Sequence, residues 1–159
     1  MSGDITSRYL KEMTLLLREQ FPYSSIYPVL GDRDFNPEGE AVPTGDPTYK
    51  LAADLWDIWL PPKAIQTLKQ AGFYRIDLAG RKLQLLALNT ALYLDNNSKT
   101  RHSYNHNPGN QWHLLENCLE RARLKHQTVI IFGHVPPGVF EGDWQQPGRH
   151  WLQPAQNTR

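Results

Sequence analysis

A chain of 159 residues, 40% hydrophobic and 21% charged, has the composition of one globular domain and not of a disordered segment. With 17 basic against 16 acidic residues the net charge is +1, which leaves no basic stripe for nucleic acid or an anionic membrane surface and argues against nucleic-acid binding. The single cysteine, Cys118, excludes an internal disulfide, and no stretch approaches the roughly 20 apolar residues of a membrane span.

The N-terminus lacks a basic region followed by an apolar one, so the sequence reads as carrying no signal peptide. An amphipathic helix is predicted from near Asp4 or Thr6. Tyr9, Leu10, Met13, Leu16 and Leu17 recur at three- and four-residue spacing, and Phe21-Pro22 stops the pattern. The run from Ile26 to Leu30 reads as a buried strand, with Pro28 marking an irregularity or an edge. Gly31-Asp32-Arg33-Asp34 follows at once. From Asn36 to Pro47 the chain is rich in Pro, Gly and acidic residues and reads as a surface loop.

Tyr49 to Trp59 has a helical pattern, with Leu51, Leu55, Ile58 and Trp59 on one side. Pro61-Pro62 ends it and starts a further helix, Lys63 to Ala71, which Gly72 closes. Phe73 to Leu78 and Leu83 to Leu88, joined by Ala79-Gly80-Arg81-Lys82, read as a β-hairpin. Residues 95 to 108 are polar and read as a loop. They contain His102, His106 and a glycosylation sequon, Asn96-Asn97-Ser98.

After Pro108-Gly109 comes the clearest helix. Trp112, Leu115, Cys118, Leu119 and Ala122 share a face, and Arg121, Arg123 and Lys125 stand near the C-terminal end, where they complement the helix dipole. Val129 to Phe132 is a wholly apolar strand, followed by Gly133-His134. The order of helices and strands is that of an α/β protein, in which ligands gather beyond the carboxyl ends of strands. Both polar motifs are expected at such ends. Residues after Phe140 have no usable period.

Val29-Leu30-Gly31-Asp32-Arg33-Asp34-Phe35 resembles the Gly-Asn-His-Asp/Glu motif of calcineurin-like metallophosphoesterases, and Phe132-Gly133-His134-Val135-Pro136-Pro137-Gly138 resembles their Gly-His-x-Pro motif. Asp54 to Leu60, Gly72-Phe73-Tyr74, Leu88 to Tyr93 and Asn107 to Trp112 are similar to the acid sphingomyelinase-like phosphodiesterase branch. The resemblance covers about residues 4 to 140. It implies a partial metallophosphoesterase-type layered fold, a mixed sheet flanked by helices, over residues 1–140, with an irregular tail over 141–159.

The resemblance also implies a chemistry, in which two zinc ions clamp a phosphoryl group and activate a bridging water for attack on phosphorus. Carried over, Asp32 stands at the position of the family's Asn ligand, Arg33 at that of the His that assists the leaving group, and His134 at that of a metal ligand. Asp32 retains an oxygen donor and adds a charge, whereas Arg33 could hold a phosphate but not exchange a proton near neutral pH. No Asp-x-His precedes residue 32 and no Gly-His-x-His follows residue 134, and Asp4 of Gly3-Asp4 reads as a helix cap.

At most a partial zinc site is therefore expected, in a fragment or degenerate phosphodiesterase that is inactive alone. Such a chain would expose sheet edges. The alternative is a non-catalytic module that binds a partner or a single metal. The family is extracellular or lysosomal, which leaves the compartment open here. The residues themselves also allow a second role for Asp32 and Asp34, capping a turn and pairing with Arg33. Asn89 and Thr90 are expected to make turn hydrogen bonds, and His102, His106, His113 and His126 to be solvated. Cys118 is expected as a buried thiol, and Trp56, Trp59 and Trp112 as packing residues.

Overall fold

The hairpin anticipated from the two alternating runs forms, and it organises the molecule. In a computed structural model that describes residues 2–94, 97–101 and 107–136, strand β1 (Tyr74–Leu78) pairs antiparallel with β2 (Leu83–Ala87), Tyr74 opposite Ala87 and Leu78 opposite Leu83. A third strand, β3 (Thr128–Phe132), joins β2 in parallel, with Leu83 opposite Thr128 and Ala87 opposite Phe132. The sheet is therefore mixed, in the order β1-β2-β3, and the fold is α/β.

Strand alternation divides the core between the two faces of this sheet. Tyr74, Ile76, Leu85 and Ala87 point to one side, where they meet helices α2 (Pro47–Trp56) and α3 (Pro62–Ala71) in the main core. Leu86 and Leu88 point to the other and meet Cys118 on α5 (Gln111–Lys125), so the cysteine is the expected buried thiol. Three layers result, with helices on both faces.

Local chemistry sets the helix ends. Asp46 Oδ1 accepts the Thr48 N–H at 2.9 Å and Pro47 occupies the first turn, so α2 starts two residues before the expected Tyr49. It ends at Trp56, three residues before the expected Trp59, and its buried residues are Tyr49, Ala52, Ala53 and Trp56. Gly72 closes α3 in the left-handed region, at φ 76°. A Cβ there would lie 2.5 Å from Tyr49 Cε1, so the glycine also admits the close approach of the α2 ring. Trp56 is buried, Trp59 packs on the main core, and Trp112 lies tilted against Tyr93, all as packing residues.

Four expectations are corrected. Ile26 to Leu30 forms no strand: it has no ladder partner among the described residues, its Pro28 lacks an N–H, and the Pro28 carbonyl instead accepts the Tyr74 hydroxyl at 2.7 Å. Helix α1 (Ser2–Gln20) forms, but its apolar face is only partly covered, with Leu10 against the main core and Leu17 half-buried. Tyr9, Met13 and Leu16 are 60%, 52% and 50% exposed, and the helix is held through buried Thr14, whose Oγ1 accepts the Trp56 Nε1–H at 3.2 Å.

In α5 the shared face is narrower than expected, because Leu119 is exposed while Gln111, Cys118 and Ala122 are buried. The polar stretch from 95 to 108 is also not all loop: it contains a short helix, α4 (Ser98–Arg101), and a 3-10 turn from Pro108. Asn96, His102, His106 and the tail from Pro137 lie outside the described residues. No helix among the described residues is long and apolar enough to cross a membrane.

Candidate functional site

Asp32 and His134 are 102 residues apart and touch. His134 follows β3, as expected, whereas Asp32 opens a 3-10 turn (Asp32–Asp34) after an irregular segment and not after a strand. The His134 Nε2 lies 3.0 Å from Asp32 Oδ1. A carboxylate accepts here and the imidazole nitrogen donates, which orients the ring.

Two glycines make the contact possible. The imidazole lies over Gly31, where a Cβ would meet its ring at 3.1 Å. Gly133 passes Thr90 so closely that a Cβ would lie 2.7 Å from Thr90 Cγ2. Beside it the Thr90 Oγ1 accepts the Val135 N–H at 2.8 Å and fastens the His134 loop to the turn after β2. Leu88 N–H to Phe132 carbonyl, 2.8 Å, extends the β2–β3 ladder up to that turn. Sequence reasoning gave Thr90 a turn bond without locating its partner. The signal was the second glycine, which implies a close neighbour.

Asp34 supports the turn rather than the contact. Its Oδ2 accepts the Gly31 N–H at 2.7 Å, and the Asp34 N–H returns to the Gly31 carbonyl at 3.2 Å. Burial raises its pKa above the ordinary carboxylate value and the Asp32 charge adds to the rise, against the opposing Gly31 hydrogen bond and His134. The capping role expected of Asp34 is thus observed. Its expected pairing with Arg33 is not: the Arg33 Nε lies 3.3 Å from Glu38 Oε1, with both side chains largely exposed. The tight turn points successive side chains apart, and the guanidinium reaches the acid five residues on.

Asn89 is committed to structure. It is fully buried, its N–H donates to Gln111 Oε1 at 2.7 Å, and its side-chain amide donates to the Tyr49 hydroxyl at 2.9 Å and the Ala71 carbonyl at 3.3 Å. Those bonds tie the end of β2 to α2, α3 and α5. His113 and His126 are exposed on α5 and at its end.

The resemblance implied zinc, and the donor set can be compared with that expectation. A catalytic zinc takes three protein ligands and a structural one four. Among the described residues no cluster of three or more His, Cys, Asp or Glu side chains could hold a metal ion, and the contact at the motif offers one imidazole and one carboxylate. These residues do not fit a zinc centre. What they present is a half-exposed imidazole braced by one carboxylate, while the neighbouring Arg33 guanidinium turns away to Glu38.

No family model matches the chain. Among curated proteins it is similar to the acid sphingomyelinase-like phosphodiesterase 3b of Homo sapiens, at 36% identity over 152 residues, covering 94% of this chain and 32% of that protein. It is similar to the cyclic GMP-AMP phosphodiesterase SMPDL3A of Mus musculus at 35% identity over 141 residues, 88% of this chain and 31% of that one. The sphingomyelin phosphodiesterase of Bos taurus is more distant, 28% identical over 163 residues, 95% of this chain and 25% of its own length. The chain spans about a third of the length of the first two relatives.

Proposed function

We propose, from the premise that this chain is homologous to the acid sphingomyelinase-like phosphodiesterases along most of its length, that residues 31–34 and 133–136 are part of the phosphate-handling face of a phosphodiesterase domain, and that the chain alone does not hydrolyse phosphodiesters. The observation that carries this reading is the 3.0 Å contact between His134 and Asp32, which stands without further metal-ligating side chains among the described residues. The substrate class is a phosphodiester, of a nucleotide or a lipid. That class follows from relatives named for cyclic GMP-AMP and for sphingomyelin.

Arg33 supports the inactive half of the reading. A guanidinium keeps its proton at any working pH, so the position can neutralise phosphate charge but cannot protonate a leaving alkoxide. Hydrolysis by the two-metal route would need ligands beyond Asp32 and His134. The exposed apolar residues of α1 and β3 favour a second reading, a non-catalytic module that docks on another protein surface.

The test is hydrolysis of bis(p-nitrophenyl) phosphate by the purified chain with added zinc. No turnover above zinc in buffer is expected. Turnover that disappears in a His134→Ala variant would show that this chain is an enzyme on its own.

A further inference from the structure

The outer edge of β1 carries a second site, remote in sequence and in residues from His134. Alternation puts Tyr74 and Ile76 toward α2 and α3 and turns Arg75 toward α5. There the Arg75 Nη1 donates to Cys118 Sγ at 3.7 Å, a weak acceptor, and most of the guanidinium's donors have no partner among the described residues. No strand covers β1 on this side among the described residues.

A groove of about 540 Å³ opens at this edge between α3 and α5, within the size range of small-molecule sites. Lys63 of α3, Arg75 of β1 and Arg121 of α5 line it, with Glu120 as the one acid and Leu114 and Leu124 as an apolar wall. None of the three cations is in an ion pair among the described residues. Three cations against one carboxylate leave a local charge of +2, although the whole chain carries only +1. Unpaired like charges held together around a concave surface repel one another unless an anion joins them.

We propose that this groove binds an organic phosphate monoester, its dianion held by Lys63, Arg75 and Arg121 and its apolar body lying on Leu114 and Leu124. The local charge matches a dianion, and a guanidinium with free donors suits the oxygen geometry of a phosphate. Glu120 at the rim would oppose binding.

The experiment is calorimetric titration of the full chain with phenyl phosphate at low ionic strength. Saturable one-to-one binding is expected, tighter than for inorganic phosphate because of the apolar wall. Lys63 and Arg121 are exposed, so a Lys63→Ala/Arg121→Ala variant is expected to fold and to bind at least roughly tenfold more weakly, since two charge-assisted contacts are gone. Glu120→Gln should strengthen binding several-fold. Absence of saturable binding or an unaltered affinity in the double variant would overturn the assignment. Stronger competition by poly-glutamate than by phenyl phosphate would replace the small ligand with an acidic polypeptide.

Discussion

Helices α1 and α3 have comparable apolar patterns and opposite fates. In α3, Ala64, Leu68 and Ala71 are buried against α2 and β1, whereas in α1 Tyr9, Met13 and Leu16 stay at least half exposed. Strand β3 repeats the contrast within the sheet: its partner β2 is almost wholly buried, yet Ile130 and Ile131 are 48% and 46% exposed. Amphipathic spacing specifies that a face can be buried, and only the rest of the fold decides whether it is. Here the α2/α3 side of the sheet is a finished core, and the α1 and β3 surfaces are apolar and only partly covered among the described residues.

The largest test of that contrast is a pair of truncations. Leu68→Ala, in the finished core, is expected to lower the unfolding free energy by about 2–5 kcal/mol in urea melts, while Leu16→Ala on α1 should change it by no more than about 0.5 kcal/mol. A large loss from Leu16→Ala would show that α1 is covered in solution. Next in size is Tyr49→Phe. The Tyr49 hydroxyl donates to the Val42 carbonyl and accepts from Asn89, whose Oδ1 already has no partner among the described residues. Its removal leaves a buried amide donor and carbonyl short of partners and should cost about 1–3 kcal/mol.

Titration sharpens the comparison further. Burial pushes the phenols of Tyr49 and Tyr74 above their ordinary value, and that of Tyr93 up to about 12. The unfolded chain loses these protons first as the pH passes 10, so the folded core should lose stability progressively from there toward 12. Melting temperatures across that range would record the decline.

Asp34 is the smaller effect and works in the other direction from a salt-bridged acid. Its folded pKa is raised, so folding is penalised where the group is ionised, and the penalty fades as the pH falls through the raised value and is gone below the ordinary value of 3.8. Asp34→Asn should therefore be more favourable relative to the parent at neutral pH than below 3.8, provided the new amide oxygen keeps the Gly31 N–H.

Much of this architecture was legible because its signals are local. Pro62 and Gly72 bracket α3, and the hairpin and β3 follow from alternation and an apolar run. The segment Ile26 to Leu30 misled because an apolar run alone does not make a ladder, and Pro28 withholds a donor. Around the site, the two motifs named Asp32 and His134 separately, but their mutual contact spans 102 residues and has no spacing signature. The Arg33–Glu38 pair was missed for a geometric reason: adjacent acids are nearer in sequence, yet the 3-10 turn directs them elsewhere. The cationic groove could not be read at all, since Lys63, Arg75 and Arg121 come from three separate elements.

On the proposed reading, the contact of Asp32 with His134 is too poor in ligands for two-metal hydrolysis. Zinc titration of the chain by calorimetry, followed by a phosphodiesterase assay on the same sample, tests it most directly. The expected result is no stoichiometric binding of two ions and no turnover. Two zinc ions per chain, with turnover abolished by His134→Ala, would contradict it.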